Sequence, residues 1–486
     1  MMHCLTILPV GLQIHTPHGI NLLEALRDIG AAPDAPCGGT GTCGKCTVLI
    51  DGVSYRACAV TVDRSMTVTV PNAAELHILT TSAVAASSSL RRDGYALAFD
   101  IGTTTVAGSI LSPDGAVLAT VSAQNPQFSY GADVISRIRT ALDGDMAHMT
   151  AMIRDCLNHM VTTLCGQAHV SPASISLVSV VGNPTMQQIF LGIPPSNLAT
   201  PPFAPVLIQL EQTDAHPYFP CLSQAQLLIV PNISGFVGAD TLGCMLATGM
   251  DETDEVTLLV DIGTNGEMAL GNRHRTIACS TAAGPALEGA HIHFGMRAQP
   301  GAIDRIHIED SKMVCHVIGE VEARGICGSG LISAVAAALD LGLLNSRGKI
   351  CNGSGQISLT DRIYLTQEDI RQVQLAKGAI AAGIQLLINR MDISPEQISR
   401  VLLAGAFGTF LDPDDACRIG LLPPVLVEKT KAIGNAALAG AQLLVLDPSA
   451  PPRVDHMATR TENLDLSIAP DFPRTFAKSM YFDTAR

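Results

Sequence analysis

A basic excess is what this chain most clearly lacks: 30 Lys and Arg stand against 44 Asp and Glu, a net charge of −14 over 486 residues. That balance excludes the basic footprint a nucleic-acid partner needs and points to small molecules or other proteins. Tryptophan is absent, and although 47% of the residues are hydrophobic, no run of eighteen apolar residues occurs. The most apolar stretches, residues 331–344 and 432–446, are too short or too interrupted to span a bilayer. The opening Met-Met-His-Cys-Leu-Thr-Ile-Leu-Pro-Val lacks the basic start and the length of a signal peptide. The expectation is a cytoplasmic protein with no membrane partner.

A paired cysteine framework is also missing. Ten of the 14 cysteines are scattered singly: Cys4, Cys156, Cys165, Cys221, Cys244, Cys279, Cys315, Cys327, Cys351 and Cys417. Single cysteines inside apolar segments read as reduced, packed thiols. Cys327, in a glycine-rich turn, has no C-x-x-C partner that would make a further cluster.

The other four are different. Cys37, Cys43, Cys46 and Cys58 follow the spacing C-x5-C-x2-C-x11-C in a loop rich in glycine. A 2Fe–2S cluster needs four thiolates converging on one small volume, and glycines let backbone N–H groups turn toward the sulfurs. The plant-type spacing has four residues, not five, in the first interval, and a structural zinc site is the rival reading. Gly39-x4-Gly44-Lys45 mimics a Walker A loop, but Cys46 stands where Ser or Thr must be, and the loop lies between a helix-like and a strand-like segment.

Around this loop, residues 3–14 alternate as a strand or hairpin, Asn21 caps a helix ending at Gly30, and 47–50, 54–59 and 65–70 read as strands. Residues 1–72 thus make a small β-grasp pattern of 2Fe–2S ferredoxin type. Residues 73–93, rich in Ala, Ser and Thr, read as a linker.

From residue 94 the chain changes to long α/β alternation. Asp100-Ile101-Gly102-Thr103-Thr104-Thr105 joins two hydrophobic strands, and Asp261-Ile262-Gly263-Thr264-Asn265-Gly266-Glu267 repeats the design 161 residues on. Such a turn binds phosphate: glycine permits close approach, successive N–H groups form an anion nest, and hydroxyls add donors. The leading aspartate can hold Mg²⁺ through water or position an attacking water. Asp100, Asp261 and Glu267 are therefore the catalytic candidates. A third strand ends in Gly405-Ala406-Phe407-Gly408, a small-residue turn against which a purine can lie.

The order phosphate, phosphate, adenosine resembles the ASKHA superfamily of acetate and sugar kinases, Hsp70 and actin, in which two RNase H-like halves close over ATP. With a ferredoxin loop in front, the chain resembles the reductive activators of corrinoid-dependent enzymes. Gly131-Ala-Asp133, Val181-Gly-Asn183, Val237-Gly-Ala-Asp240, Ala282-Ala-Gly284-Pro-Ala-Leu-Glu288 and Gly325-Ile-Cys327-Gly carry that resemblance further. Asp133, Asp240 and Glu288 could each equally be helix caps or satisfied loop residues.

The resemblance implies an α+β and α/β chain: ferredoxin domain 1–72, linker 73–93, and a two-lobed ATPase 94–486 with lobes of roughly 94–250 and 251–486. It implies a 2Fe–2S cluster, ATP and Mg²⁺, a corrinoid protein as partner, an electron donor for the cluster, and leaves a homodimer open. The implied activity is ATP-driven reduction of Co(II) to Co(I) in a methyl-transfer system. The rivals are a small-molecule kinase and an ATP-binding redox sensor, each fused to a ferredoxin. The family pattern also has a middle domain, for which there is no room between Val70 and Tyr95, and has other residues where Gln188 and Ser333 stand.

Overall fold

The computed structural model describes residues 2–8, 12–27, 32–33, 35, 39, 41, 46–70 and 94–482, with the side chains of Leu12, Gln13, Ala406 and Thr409 left aside. Cys37, Cys43 and the expected linker 73–93 lie outside the described residues.

Alternation builds the N-terminal module. In β1 (Met2–Leu8) His3, Leu5 and Ile7 point inward, and in β5 (Met66–Thr69) Met66 and Val68 do the same. With β2 (Leu12–Pro17), β3 (Thr47–Ile50) and β4 (Val53–Arg56) they form a sheet of order β2-β1-β5-β3-β4, in which β1 and β5 are parallel. Helix α1 (Leu22–Arg27) lays Leu22, Leu23 and Leu26 onto it, and Asn21 caps it by accepting the Leu23 N–H at 2.9 Å. Strand β4 stops at Arg56, short of the expected 54–59, because Ala57–Ala59 winds into a 3₁₀ turn whose first N–H donates to Cys46 O at 2.8 Å.

The first lobe begins with the meander β6 (Tyr95–Ile101), β7 (Thr105–Leu111) and β8 (Val117–Gln124). Helices α2 (Val134–Thr140) and α3 (Met146–Ala168) lead to β9 (Ile175–Gly182), followed by α4 (Pro184–Leu191), β10 (Glu211–Asp214), β11 (Gln226–Ile229) and α5 (Ala239–Thr248). The sheet order is β10-β11-β9-β6-β7-β8.

The second lobe repeats the plan. The meander is β12 (Thr257–Ile262), β13 (Gly266–Gly271) and β14 (Thr276–Thr281). An insertion follows: β15 (Ala302–Glu309), β16 (Lys312–Val317), β17 (Gly325–Ile326), α6 (Gly328–Asp340), β18 (Gln356–Ser358) and β19 (Tyr364–Thr366). Then come α7 (Gln367–Met391), β20 (Arg400–Ala404), α8 (Gly405–Phe410), α9 (Pro413–Arg418) and β21 (Thr430–Gly434). The chain closes with α10 (Ala436–Leu446), α11 (Ala450–Arg460), β22 (Glu462–Asn463) and α12 (Phe472–Ser479). The order β21-β20-β12-β13-β14-β22 matches β11-β9-β6-β7-β8 strand for strand over its first five members.

The lobes trade helices. Helix α10 of the second lobe lies on the first lobe's sheet, where Ser179 Oγ donates to Ala441 O at 2.6 Å and Gln442 Nε2 to Ser109 Oγ at 2.9 Å. Helix α5 meets it so closely that a Cβ added to Gly440 would lie 2.1 Å from Gly243 O. One apolar core, with Leu242, Cys244, Leu259, Leu402 and Leu444, runs through both lobes.

Candidate nucleotide cleft and cysteine site

Between the two meanders is a cleft of about 210 Å³, lined by both Asp-Ile-Gly-Thr turns. Asp100 and Asp261 sit one residue from the ends of β6 and β12, so strand pairing fixes where they stand. Asp261 is paired across the hairpin with Glu267 and, on the other side, with Ala404. Gly102, Thr103, Thr104, Thr105, Gly263, Thr264 and Asn265 all line the cleft, as expected of phosphate turns. Gly266 does not: its α-carbon faces α7, where a Cβ would lie 3.1 Å from Ile380.

The turns touch. Thr104 Oγ1 donates to Glu288 Oε2 at 2.8 Å, Thr264 Oγ1 donates to the same oxygen at 3.1 Å, and the two hydroxyls are 3.1 Å apart. Glu288 and Asp240 therefore reach the cleft. Asp133 instead caps α2, accepting the Ser136 N–H at 2.8 Å. Asn435, which no motif singles out, and Asn183 of the Val181-Gly-Asn183 stretch also belong here. Asn435, the cap of α10, donates to Asp100 Oδ2 at 3.0 Å, and Asn183 donates to Thr103 Oγ1 at 3.1 Å. Each follows a glycine at a strand end, the only local signal, and a cap looks the same in sequence.

Carboxylates crowd the floor. Burial pushes Asp100 up to about 7, with Asp240 and Asp261 adding repulsion, and burial pushes Asp261 up to about 6. Burial likewise raises Asp240 and Glu267, and Asp261 repels both. Beneath them the Cys244 thiol lies 3.6 Å from Asp261 Oδ2 and is kept protonated by burial and by these charges. Such a set wants a cation. Among the described residues no three His, Cys, Asp or Glu side chains converge as direct ligands. The donor set thus fits Mg²⁺ held by water and phosphate oxygens, its usual manner, rather than a protein cage.

Gly405, with φ of +83°, passes so near Asp261 that an added Cβ would lie 2.5 Å from Oδ1. Gly405 and Phe407 line the cleft, whereas Gly408 packs back on Leu403, 3.3 Å from where its Cβ would be. The adenosine turn expected at 405–408 is thus the first turn of helix α8, with Gly405 and Phe407 toward the cleft and Gly408 away from it. Cys327 caps α6 with its thiol on Ile303 O at 3.4 Å, the place of a packed cysteine. Ser333 pins β15, donating to Ile306 O and accepting from Ile306 N.

At the N-terminal module, the β3–β4 hairpin brings Cys46 and Cys58 to one end, one residue before Thr47 and two after Arg56, which are paired. Cys46 is fully buried while Cys58 is half-buried. Gly39 and Gly41 of the loop take φ of +97° and +81°, conformations glycine adopts without strain. Both thiols and the glycines fit a cluster loop.

Two family models match: the RACo middle region over residues 95–253 and the C-terminal ASKHA domain of RACo over 255–486. The middle region thus falls on the first lobe, correcting the expectation that it is absent. The chain is 34% identical over 420 residues to the corrinoid activation enzyme RamQ of Eubacterium limosum, covering 80% of this chain and 70% of that protein. It is 38% identical over 250 residues to the [Co(II) methylated amine-specific corrinoid protein] reductase of Methanosarcina barkeri, covering 47% of this chain and 46% of that one. Among solved structures, a reductive activator for corrinoid, iron–sulfur protein superposes with a TM-score of 0.72 at 26% identity, over 99% of this chain and 98% of that chain. With both lobes matched by its models and a relative this similar along most of its length, the chain belongs to the RACo family of reductive activators.

Proposed function

We propose that the chain is an iron–sulfur ATPase that returns a corrinoid protein of a methyl-transfer system from Co(II) to Co(I), with ATP driving the conformational step. What carries the reading is the presence in one chain of a cysteine-gathering hairpin and a two-turn cleft floored by carboxylates. The names of its relatives, a corrinoid activation enzyme and a Co(II) corrinoid protein reductase, support it.

In this reading Cys37, Cys43, Cys46 and Cys58 hold a 2Fe–2S cluster. When bound, the cluster supplies one electron at low potential. In the ATPase, the hydroxyls of Thr103, Thr104 and Thr264 would donate to phosphate oxygens, and Asp100 and Asp261 would hold Mg²⁺ through water, the ion supplying charge that offsets the phosphates. Glu267, opposite Asp261 and within reach of Ser280 Oγ at 3.2 Å, accepts a proton from the attacking water. Gly405 and Phe407 bound the adenosine. ATP and water become ADP and phosphate, while one electron, supplied to the module by a low-potential one-electron donor, passes to cobalt.

The need for ATP follows from magnitudes. A plant-type cluster near −400 mV falls short of the Co(II)/Co(I) couple. A coupling free energy of about 1–3 kcal/mol between nucleotide and partner states moves an effective one-electron potential by roughly 40–130 mV.

The proposal divides the chain into residues 1–72, 73–93 and 94–486, and sets it in the cytoplasm, where thiols stay reduced. None of the described cysteines forms a disulfide, and among the described residues no helix is long and apolar enough to cross a membrane. The test is an anaerobic visible spectrum of the protein, a reductant and a Co(II) corrinoid protein, before and after ATP. Appearance of Co(I) only with ATP is expected; a phosphorylated small molecule formed in step with ADP, and no Co(I), overturns it.

A further inference from the structure

The stretch between β8 and α2 meets three bodies. It supports all three carbonyls of the first phosphate turn: Asn125 Nδ2 donates to Gly102 O at 2.8 Å, Asn125 N to Thr104 O at 2.9 Å, and the Arg137 guanidinium to Thr103 O. Asn125 and Arg137 are both 0% exposed. Arg137 Nε also donates to Gly131 O at 3.1 Å, and Gly131, at φ +154°, leaves no room for a Cβ, which would lie 2.5 Å from Ser136 Cβ. Between these anchors Pro126–Tyr130 is one 3₁₀ turn, capped by Asn125 through the Gln127 N–H at 3.0 Å.

From the second lobe, Arg297 of the cleft wall places its guanidinium 5.2 Å from the Phe128 ring centre. From the N-terminal module, Arg27 at the end of α1 donates to Ser129 O and lies 4.7 Å over the Tyr130 ring. The same guanidinium underlies the cysteine loop: a Cβ on Gly39 would lie 3.6 Å from one of its nitrogens. One arginine therefore stands between the cysteine loop and the segment that fixes the phosphate turn.

We propose that residues 126–131 are the ATPase's docking surface for the ferredoxin module, and that nucleotide in the cleft releases the module from it. This release rests on the nucleotide reading above. A phosphate cannot sit between the turns while Thr104 and Thr264 are 3.1 Å apart, so the first turn must retreat from the second. Its three tied carbonyls carry Asn125 and Arg137 with it. The 3₁₀ turn between them then shifts under Arg27, and a stacked guanidinium tolerates little displacement. Released, the module is free to present its cluster to another protein. Linkage makes the effect mutual: docking opposes nucleotide binding by the factor with which nucleotide opposes docking.

The experiment is hydrogen exchange on the cluster-loaded full chain, with and without Mg²⁺ and a non-hydrolysable ATP analogue, following peptides over residues 22–27 and 126–131. In the wild type the analogue should speed exchange in both about fivefold or more, the low end of ordinary coupling. In Tyr130→Leu, residues 22–27 should exchange fast already and respond to the analogue less than about twofold, while the analogue binds about fivefold more tightly by calorimetry. If Tyr130→Leu fails to give a folded protein by its thermal transition, Arg27→Ala, with its visible spectrum checked, carries the same expectation. Exchange over 22–27 that ignores the analogue in the wild type, or a variant that keeps the full response, overturns the proposal. ATP-dependent Co(I) formation measured on the same preparation separates the two claims. Co(I) with unresponsive exchange sinks the docking surface alone, and responsive exchange with no Co(I) sinks the reductive reading alone.

Discussion

Thr104 and Thr264, 160 positions apart, the second residue after Ile101-Gly102 and the first after Ile262-Gly263, point their hydroxyls at one another across 3.1 Å and share Glu288 Oε2. Glu288 thus joins the two Asp-Ile-Gly-Thr turns through a single carboxylate oxygen. Glu288→Gln removes the charge but keeps the shape, so ATP turnover should fall about 10²-fold or more while binding changes little. Phosphate-release kinetics and calorimetric affinity check this. Equal loss in both would assign Glu288 to ground-state binding.

Asp261→Asn should also separate hydrolysis from affinity. Its carboxylate faces Glu267 across the hairpin and lies against Gly405, so its loss should slow single-turnover hydrolysis by roughly 10²-fold or more. Undiminished hydrolysis would exclude a catalytic role.

The crowded carboxylates make a pH prediction. Asp100 stands at about 7 and Asp261 at about 6, against an ordinary 3.8. Between those values the folded chain keeps protons that the unfolded chain has lost, so these groups stabilise below about pH 4 and cost stability as pH rises toward 7. Without nucleotide or Mg²⁺, the fall in Tm from pH 5 to pH 7.5 should be smaller in Asp100→Asn than in the wild type. Equal slopes by circular dichroism would show that Asp100 is ionised in the folded protein throughout.

How much of this was legible in sequence depended on range. That the two Asp-Ile-Gly-Thr turns line one cleft was, because the motif is complete within four residues and repeats, and Asn21 announced α1 by the same local logic. Glu288, Asn435 and Asn183 were not separable from caps, since their partners are Thr104, Asp100 and Thr103, between 80 and 335 positions away. Asp133 shows the other outcome: it too lies near a glycine and caps a helix, but it does not line the cleft. Gly408 looked like part of an adenosine turn, but helix α8 starts at Gly405 and turns it toward Leu403.

The cysteine assignment has a direct check. Cys46→Ser and Cys43→Ser should each lose or distort the visible spectrum, from a wild type carrying two irons and two sulfides per chain. Zinc in the purified protein, or unchanged spectra, would refute a 2Fe–2S cluster on these residues.

The contact of α5 with α10 yields a stability prediction. A Cβ on Gly440 would lie 2.1 Å from Gly243 O, with backbone rather than a flexible side chain in the way. Gly440→Val should therefore destabilise by about 3 kcal/mol or more, read as a lowered Tm in thermal melts. A melt within a degree of wild type would mean that the helices can part freely.

That bare crossing also decides how the machine moves. With no side chains interleaved at Gly243 and Gly440, the two helices bear on each other like an axle in its journal, and each carries the opposite lobe's sheet on its flank. A swing of the lobes about this point would keep the bare crossing intact, whereas a slide along it would drive the side chains flanking the glycines into backbone. Motion is least at the bearing and grows with distance along either arm, so a small turn at the glycines becomes a larger stroke at whatever the lobes carry on their outer rims.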